Sequence, residues 1–445
     1  MKNTEKKNII ELINLNKWAA LQEILKEWHE ADVADLLLEL DSHSRILLFR
    51  SLPRKFKAMV FSYLEPQDQK SLLFELSHQE TSELLSNLNP DDRTLLLEEL
   101  PAEMTRKLMD LLSPEDLKEA WHLLGYPEES VGRLMTPDYV SVSEHLKISE
   151  VIKHIRRVGK DSETINIIYV VDKGKHLLGT VKLREVILCE PDRVIKDIMH
   201  TSFGVLSAFD DQEKAVSIIK QYDLVALPVV DSEGVLLGIV TIDDILDIAE
   251  DETTEDIQKG ASVEPLGVSY HNAGVFLLTR KRVVWLIALI VVNLFSSGVI
   301  ALYEDVISKI VILAAFIPLL IDSGGNVGSQ SATLMIRALV TGDIEMKEWF
   351  VTLLKELRVG LLLGIAMGGL SSLLGFFRGD YMIGFVLAAT MLCIVLVANL
   401  IGMSLPFVLG KLRMDPAMAS GPLISTIMDI LGLLIYFSIA SAVLL

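Results

Sequence analysis

Cysteine is almost missing from this chain of 445 residues. Its two copies, Cys189 and Cys393, lie far apart without ligand-like spacing, which excludes a disulfide framework and a thiolate metal site. Histidine stops at His271. Basic charge is also short: residues 1–279 hold 50 Asp and Glu against 30 Lys and Arg, whereas the remainder holds 10 against 11. A polyanion needs a basic patch, so a net charge of −19 argues against nucleic acid as a partner. There is no P-loop, no nucleophile–base pair and no catalytic zinc pattern, and nothing in the chain reads as an enzyme. The N-terminal MKNTEKKNIIELINLNKW lacks the unbroken apolar core of a signal peptide and is expected to stay in the cytosol.

What the chain does have is apolar sequence, unevenly placed. Hydrophobic residues make up 51%, and the mean hydropathy is +0.41. That is high for a soluble protein and low for one made only of spans, so a soluble part should be joined to a membrane part.

The first third has a period. Leu40, Leu52, Leu64, Leu76, Leu88, Leu100 and Leu112 recur every 12 residues, usually followed by Pro, Asp, Glu or Ser, as in LPRKF, LEPQDQ, LNPDDR and LSPEDL. Each unit reads as a short helix closing on leucine, with proline and acids opening the next. Such helices cannot bury an apolar stripe alone and are expected to stack into a superhelix.

Residues 134–249 hold a second repeat, YVVDKGKHLLGTVKLREVIL against LPVVDSEGVLLGIVTIDDIL, with the VVD tripeptides 59 residues apart. Each copy is strand, turn, strand, helix. The pair resembles tandem CBS domains, which often bind adenine nucleotides in their cleft. The resemblance makes ATP or AMP a candidate ligand, although the residues carry no strong nucleotide fingerprint.

Five apolar runs follow Arg280, Lys281 and Arg282, at about 284–303, 308–336, 359–377, 384–409 and 422–445. Each is near or above the roughly 20 residues that cross a bilayer. With the N-terminus inside, the inner flanks carry nine bases, including Arg337, Lys347, Lys355, Arg358, Lys411 and Arg413, and the outer flanks only Lys309 and Arg378. The soluble part is thus expected on the cytoplasmic side of the cell membrane.

The second run is interrupted by IDSGGNVGSQSATL. Polar residues within a span normally face protein or water. Pro318 and the glycines are expected to loosen this helix, freeing carbonyls, and Pro318, Asp322, Gly325, Asn326 and Gln330 are candidate pore-lining residues. The last run holds Ser425 and Asp429, one turn apart and deep in apolar sequence. Asp415 lies 14 residues before Asp429, which on a continuous helix is about 21 Å along the same face. With oxygen as the available ligand, hard cations such as Mg²⁺, Ca²⁺ or Mn²⁺ are favoured, and few protein ligands suit hydrated Mg²⁺.

The order of these parts, with IPLLIDSGGNVGSQSATL and DPAMASGPLISTIMDILGLLIY, resembles the MgtE magnesium channels over essentially the whole chain. The expected fold is a multi-domain membrane protein. It comprises an α-helical superhelical N-domain (1–130), α/β tandem CBS domains (131–250), an acidic connecting or plug helix (251–279) and a five-helix α transmembrane pore domain (280–445). The resemblance implies a homodimer with a pore between the second and fifth spans. It makes Asp429 the central Mg²⁺ site, Ser425 a backbone carbonyl contributor and Asp415 a carboxylate at the cytoplasmic end. Asp322 departs from the family pattern, standing where a neutral residue is expected, as does Ser329 where asparagine is frequent.

Residues 201–256 hold 14 acids and two bases, most of the acids in TIDDILDIAEDETTED. Crowded like charges repel unless a cation neutralises them. A cytosolic Mg²⁺ sensor that shuts the pore is the expected role, with a linker helix over about 250–275 as the moving part. By resemblance the bridging carboxylates are Asp223, Asp244, Asp247, Glu252, Glu255 and Asp256, with Asp91 a weaker match. A Mn²⁺ or Co²⁺ pathway, and a membrane-anchored nucleotide receptor whose spans only anchor it, remain open alternatives.

Overall fold

The structure is a computed structural model that describes residues 9–445 other than 10, 14, 16 and 26. Contacts divide it into two compact units, residues 1–249 and 250–445.

The first unit begins with short helices, as the period predicts. They are α1 (Trp18–Leu25), α2 (Glu30–Glu39), α3 (Ser42–Ser51), α4 (Arg54–Ser62), α5 (Pro66–Glu75), α6 (His78–Leu85), α7 (Pro90–Glu99), α8 (Ala102–Met109) and α9 (Pro114–Leu124). Their ends are written locally. Pro66, Pro90 and Pro114 open α5, α7 and α9, where a missing N–H costs nothing. Asp41 and Ser113 cap α3 and α9, and Ser77 forms a capping box with Glu80. Leu40, Leu52, Leu76 and Leu100 terminate α2, α3, α5 and α7. All seven periodic leucines reach one continuous apolar core, Leu76 from its edge. Stacking thus supplies what no single helix of 8 to 11 residues can.

After α10 (Val131–Leu134) come two copies of one motif. The first is β1 (Tyr139–Ser143), α11 (Ile148–Val158), β2 (Thr164–Val171), β3 (Leu177–Lys182) and α12 (Leu183–Leu188). The second is β4 (Leu206–Ser207), α13 (Gln212–Tyr222), β5 (Ala226–Val230), β6 (Leu236–Thr241) and α14 (Ile242–Gly260). Each sheet pairs its first two strands in parallel and its last two antiparallel. Asp172 and Asp231 build the same turn, each accepting from the backbone N–H groups two and four residues on. The left-handed position of that turn is Gly234 (φ 84°) in the second copy but Lys175 (φ 63°) in the first. The copies interlock. Thr136, leading into the first, exchanges two backbone hydrogen bonds with Ile239 of the second, and His200, leading into the second, does so with Thr180 of the first. Ile167, Tyr169 and Val171 of β2 share a core with Ala226, Leu236 and Ile239 of the other sheet.

The second unit holds five helices long and apolar enough to cross a membrane. They are α15 (Val275–Leu302), then, after α16 (Glu304–Lys309), α17 (Ile317–Val340), α18 (Trp349–Arg378), α19 (Tyr381–Lys411) and α20 (Gly421–Leu444). α17, α19 and α20 surround the main core. α18 and α19, joined by Gly379 and Asp380 alone, approach closely because Gly364, Gly368 and Gly375 lie against Leu392, Ala388 and Gly384. Tyr303 stacks on Phe437 at 5.2 Å, and the Tyr436 hydroxyl donates to the Leu313 carbonyl.

Three expectations need correction. The glycines of IDSGGNVGSQ do not loosen the second span: α17 is continuous, and the irregular stretch is the 3₁₀ turn at Val311–Phe316 just before it. Pro318 lies in the first turn of α17, where proline is tolerated. Asp415 and Asp429 do not share a helix, since α20 starts at Gly421 and Asp415 instead caps a one-turn 3₁₀ helix, Pro416–Met418. The linker helix is not a separate element over 250–275: α14 leaves β6 directly and runs unbroken to Gly260.

Candidate functional site

In the second unit, the surface beside α20 is polar where a lipid-facing surface would be apolar. Pro318, Asp322, Asn326 and Gln330 recur every four residues along α17 and are all exposed. The Asn326 side-chain amide donates to Asp322 Oδ2 at 3.1 Å. The alternate face carries the glycines, which serve packing. A Cβ on Gly325 would fall 2.8 Å from Ser425 Oγ, and one on Gly328 2.6 Å from Ile424 Cγ2. Gly325, expected to line the pore, is therefore buried against Ser425. The Ser329 hydroxyl donates to the Gly421 carbonyl at 3.2 Å, pinning the start of α20 to α17. Ser425 and Asp429, one turn apart, are both half-buried beside this contact.

At the N-terminal side of α20, the end of α14 meets Asp415. Lys259 Nζ lies 2.5 Å from Asp415 Oδ2 and also pairs with Glu255 one turn earlier. Burial pulls the lysine pKa down, but the two carboxylates outweigh it and hold the ammonium above the usual lysine range. Asp256 is held above the usual carboxylate range by burial and then by Asp415, with Lys259 and Arg337 opposing. Glu252, half-buried, lies one turn before these acids on the same helix.

The first unit gathers a separate set of carboxylates. Asp91 and Asp92 open α7, Glu163 precedes β2, and Asp243, Asp244 and Asp247 share one face of α14; all line a cavity of about 230 Å³. Asp91 is 5% exposed. Burial, then Asp244 and its other acidic neighbours, push it well above the ordinary carboxylate range. Burial followed by Asp244 raises Asp92 and Glu163 to about 7 each. Asp244 is raised to about 6, chiefly by burial, although the Thr241 hydroxyl donates to it at 2.6 Å. The buried base beside them, Arg93, is committed to Asp116 and Glu119 at 3.2 and 2.5 Å. Among the described residues no three His, Cys, Asp or Glu side chains converge tightly enough to cage a bare ion.

The expected ligands thus fall into four places. Asp91, Asp244 and Asp247 share the acidic cavity; Glu255, Asp256 and Asp415 meet at the end of α14, with Glu252 one turn before them on that helix; Ser425 and Asp429 lie on α20. Asp223 joins none of these. It caps α13 in a left-handed conformation (φ 50°) and lines a larger cavity of about 750 Å³ with Lys182, Arg184 and an apolar wall including Leu183, Ile187 and Leu224. Sequence reasoning missed Asp92, Asp243 and Glu163. The first two stand in the doublets NPDD and TIDD beside residues that were chosen, and the spacing of 243, 244 and 247 marks one helix face. Glu163 has no local signal.

Comparison with known proteins decides the kinship. Residues 317–439 match the family described as a divalent cation transporter, MgtE; residues 28–129 match the MgtE intracellular N domain, and 131–190 and 195–251 match CBS domains. The magnesium transporter MgtE of Thermus thermophilus is 39% identical over 428 residues, 96% of this chain and 95% of that protein. The chain belongs to the MgtE family. Its counterpart in Enterococcus faecalis is 37% identical over 96% of both chains. The cytosolic domain of the Mg²⁺ channel MgtE, solved in complex with ATP, superposes with a TM-score of 0.52 at 36% identity, covering 55% of this chain and 99% of that one. Membership carries the expected architecture of N domain, CBS pair and five spans, and makes this MgtE chain a multi-pass membrane transporter and not an enzyme.

Proposed function

We propose that the chain is a Mg²⁺ channel that works as a homodimer, admits Mg²⁺ to the cytosol and is shut by cytosolic Mg²⁺. The curated relatives are magnesium transporters along nearly their whole length. The observation that carries the reading is the exposed polar row of α17 beside the half-buried carboxylate of Asp429. Such a surface is costly against lipid and useful only against water or a matching surface. A second copy applied there would enclose a polar path. A hydrated ion touching Asp429 and few other ligands is held strongly enough to enter and weakly enough to leave. Nine bases on one side of the spans against two on the other put the soluble unit in the cytoplasm. Asp429→Asn should abolish ²⁸Mg uptake into proteoliposomes while the protein remains folded and dimeric; retained uptake overturns the reading.

Closure by cytosolic Mg²⁺ follows if the ion binds the closed state better than the open one. The acidic cavity supports this, because six carboxylates line it and burial with mutual repulsion pushes Asp91 well above the ordinary carboxylate range. The larger cavity suits an adenine nucleotide: Lys182 and Arg184 offer charge to phosphates, and Leu183, Ile187 and Leu224 offer an apolar wall to a base. The ATP complex of the related cytosolic domain supports that occupant. Lys182→Ala with Arg184→Ala should weaken ATP binding at least tenfold by calorimetry, and unchanged binding rejects this cavity as the site.

A further inference from the structure

We propose that Lys259 is a tethered cation that stands in for a divalent ion at the end of α14, holding that helix to Asp415 when Mg²⁺ is scarce. The proposal rests on the channel reading above for its effect on flux, but the contact itself does not. Glu255, Asp256 and Asp415 bring three negative charges to one place, and Lys259 and Arg337 are the bases that oppose them there. Lys259 binds two of the three carboxylates at once, with its side chain 25% exposed, so the ammonium is largely withdrawn from water. Asp415 is correspondingly occupied on both oxygens: Oδ2 takes Lys259, and Oδ1 accepts from Ala417 N at 2.8 Å.

A second observation shows that this docking is built in. Ser262, just beyond α14, has φ 58°, a left-handed conformation that a serine seldom adopts. It is buried, as is Ser420, the N-cap of α20, and their hydroxyl oxygens are 2.7 Å apart. A strained backbone persists only where its surroundings over-determine it. The end of α14 is therefore fastened to the start of α20 at two neighbouring points, one ionic and one between hydroxyls.

An ammonium is a compact monovalent charge on a flexible stem. A divalent ion reaching the same oxygens neutralises more charge and displaces it. Lys259 thus sets a floor on closure: it keeps part of the contact in the absence of the ion, and Mg²⁺ completes it. The chain's own residue narrows the range over which cytosolic Mg²⁺ can regulate flux.

Two readouts test this on the full-length protein. In proteoliposomes without cytosolic-side Mg²⁺, Lys259→Met should raise flux roughly two- to fivefold, the range of a partly exposed ion pair. Lys259→Arg should not, and saturating Mg²⁺ should close Lys259→Met as it closes the parent. In a background of C189S and C393S, the S262C/S420C pair should cross-link readily in EDTA. Adding Lys259→Met should slow cross-linking in EDTA, and Mg²⁺ should restore it. Cross-linking that is equally fast in EDTA with and without Lys259→Met overturns the proposal, whatever the flux. Flux surviving Asp429→Asn, by contrast, indicts the channel reading and leaves the cross-linking result to stand.

Discussion

Individual carboxylates set the chemistry of the cytosolic part. Asp92, Asp244 and Glu163 hold their protons up to about 6 or 7, and Asp91 beyond the ordinary range, because burial and mutual repulsion both penalise the charged form. The folded unit therefore binds more protons than the unfolded chain between about pH 4 and pH 7. Its stability should fall as pH rises through that window and level off above it. With Mg²⁺ bound the negative form is compensated, and the fall should flatten. Hydrogen exchange of the α7 amides in EDTA is expected to speed up from pH 5 to pH 8, after correction for the intrinsic pH dependence of exchange, and millimolar Mg²⁺ should remove the increase. An unchanged α7 in EDTA would remove these carboxylates from any sensor role. Arg93, next to Asp92 in the chain, does not relieve them, since its guanidinium is committed to Asp116 and Glu119.

At the scale of elements, α14 matters most. It is continuous from the second CBS copy to Gly260, carrying Asp244 and Asp247 near one end and Glu255, Asp256 and Lys259 near the other. Under the proposed gating, this one continuous helix with acids near each end is the element through which a cytosolic cation would act on the pore. Asp244→Asn with Asp247→Asn should raise the cytosolic Mg²⁺ needed for half-closure about tenfold, within the usual span of coupling between sites. An unshifted midpoint in patch recording would dissociate the acidic cavity from the gate. The transmembrane helices obey another rule. In α17 and α18 glycine serves contact and not flexibility, as Gly325 against Ser425 and Gly364 against Leu392 show. Lacking a hydrophobic force between helices in lipid, close approach at small residues supplies packing energy instead.

For the whole molecule, organisation was legible and juxtaposition was not. The leucine period, the repeated VVD turns and the five apolar runs are local patterns, set by what each residue needs from neighbours a turn or a strand away, and all three emerge as elements of the fold. Asp91, Asp244 and Asp247 could be nominated by resemblance to the family, Asp91 as a weaker match in its NPDD turn. Glu163 could not, for nothing nearby in the chain distinguishes it from any exposed glutamate. The break in the second span was misjudged because a run of glycines has two physical uses, bending and packing, and only a neighbour such as Ile424 or Ser425 decides between them. Asp415 was misjudged in geometry for a similar reason. Composition could not tell that Gly421 begins one helix and that Asp415 caps the start of a separate one-turn 3₁₀ helix.

What the sequence by itself determined was the order of parts, the number of spans, the side of the membrane on which charge collects and the oxygen-only chemistry available to a cation. These depend on periodicity and composition, which survive without knowledge of contacts. Tertiary structure alone decided that Lys259 reaches Asp415 across 156 residues, that Glu163 joins Asp91 and Asp244, and that Asp223 faces a different cavity. Such pairings depend on how surfaces pack, and the energy that selects them is shared among many residues, none of which announces its partner.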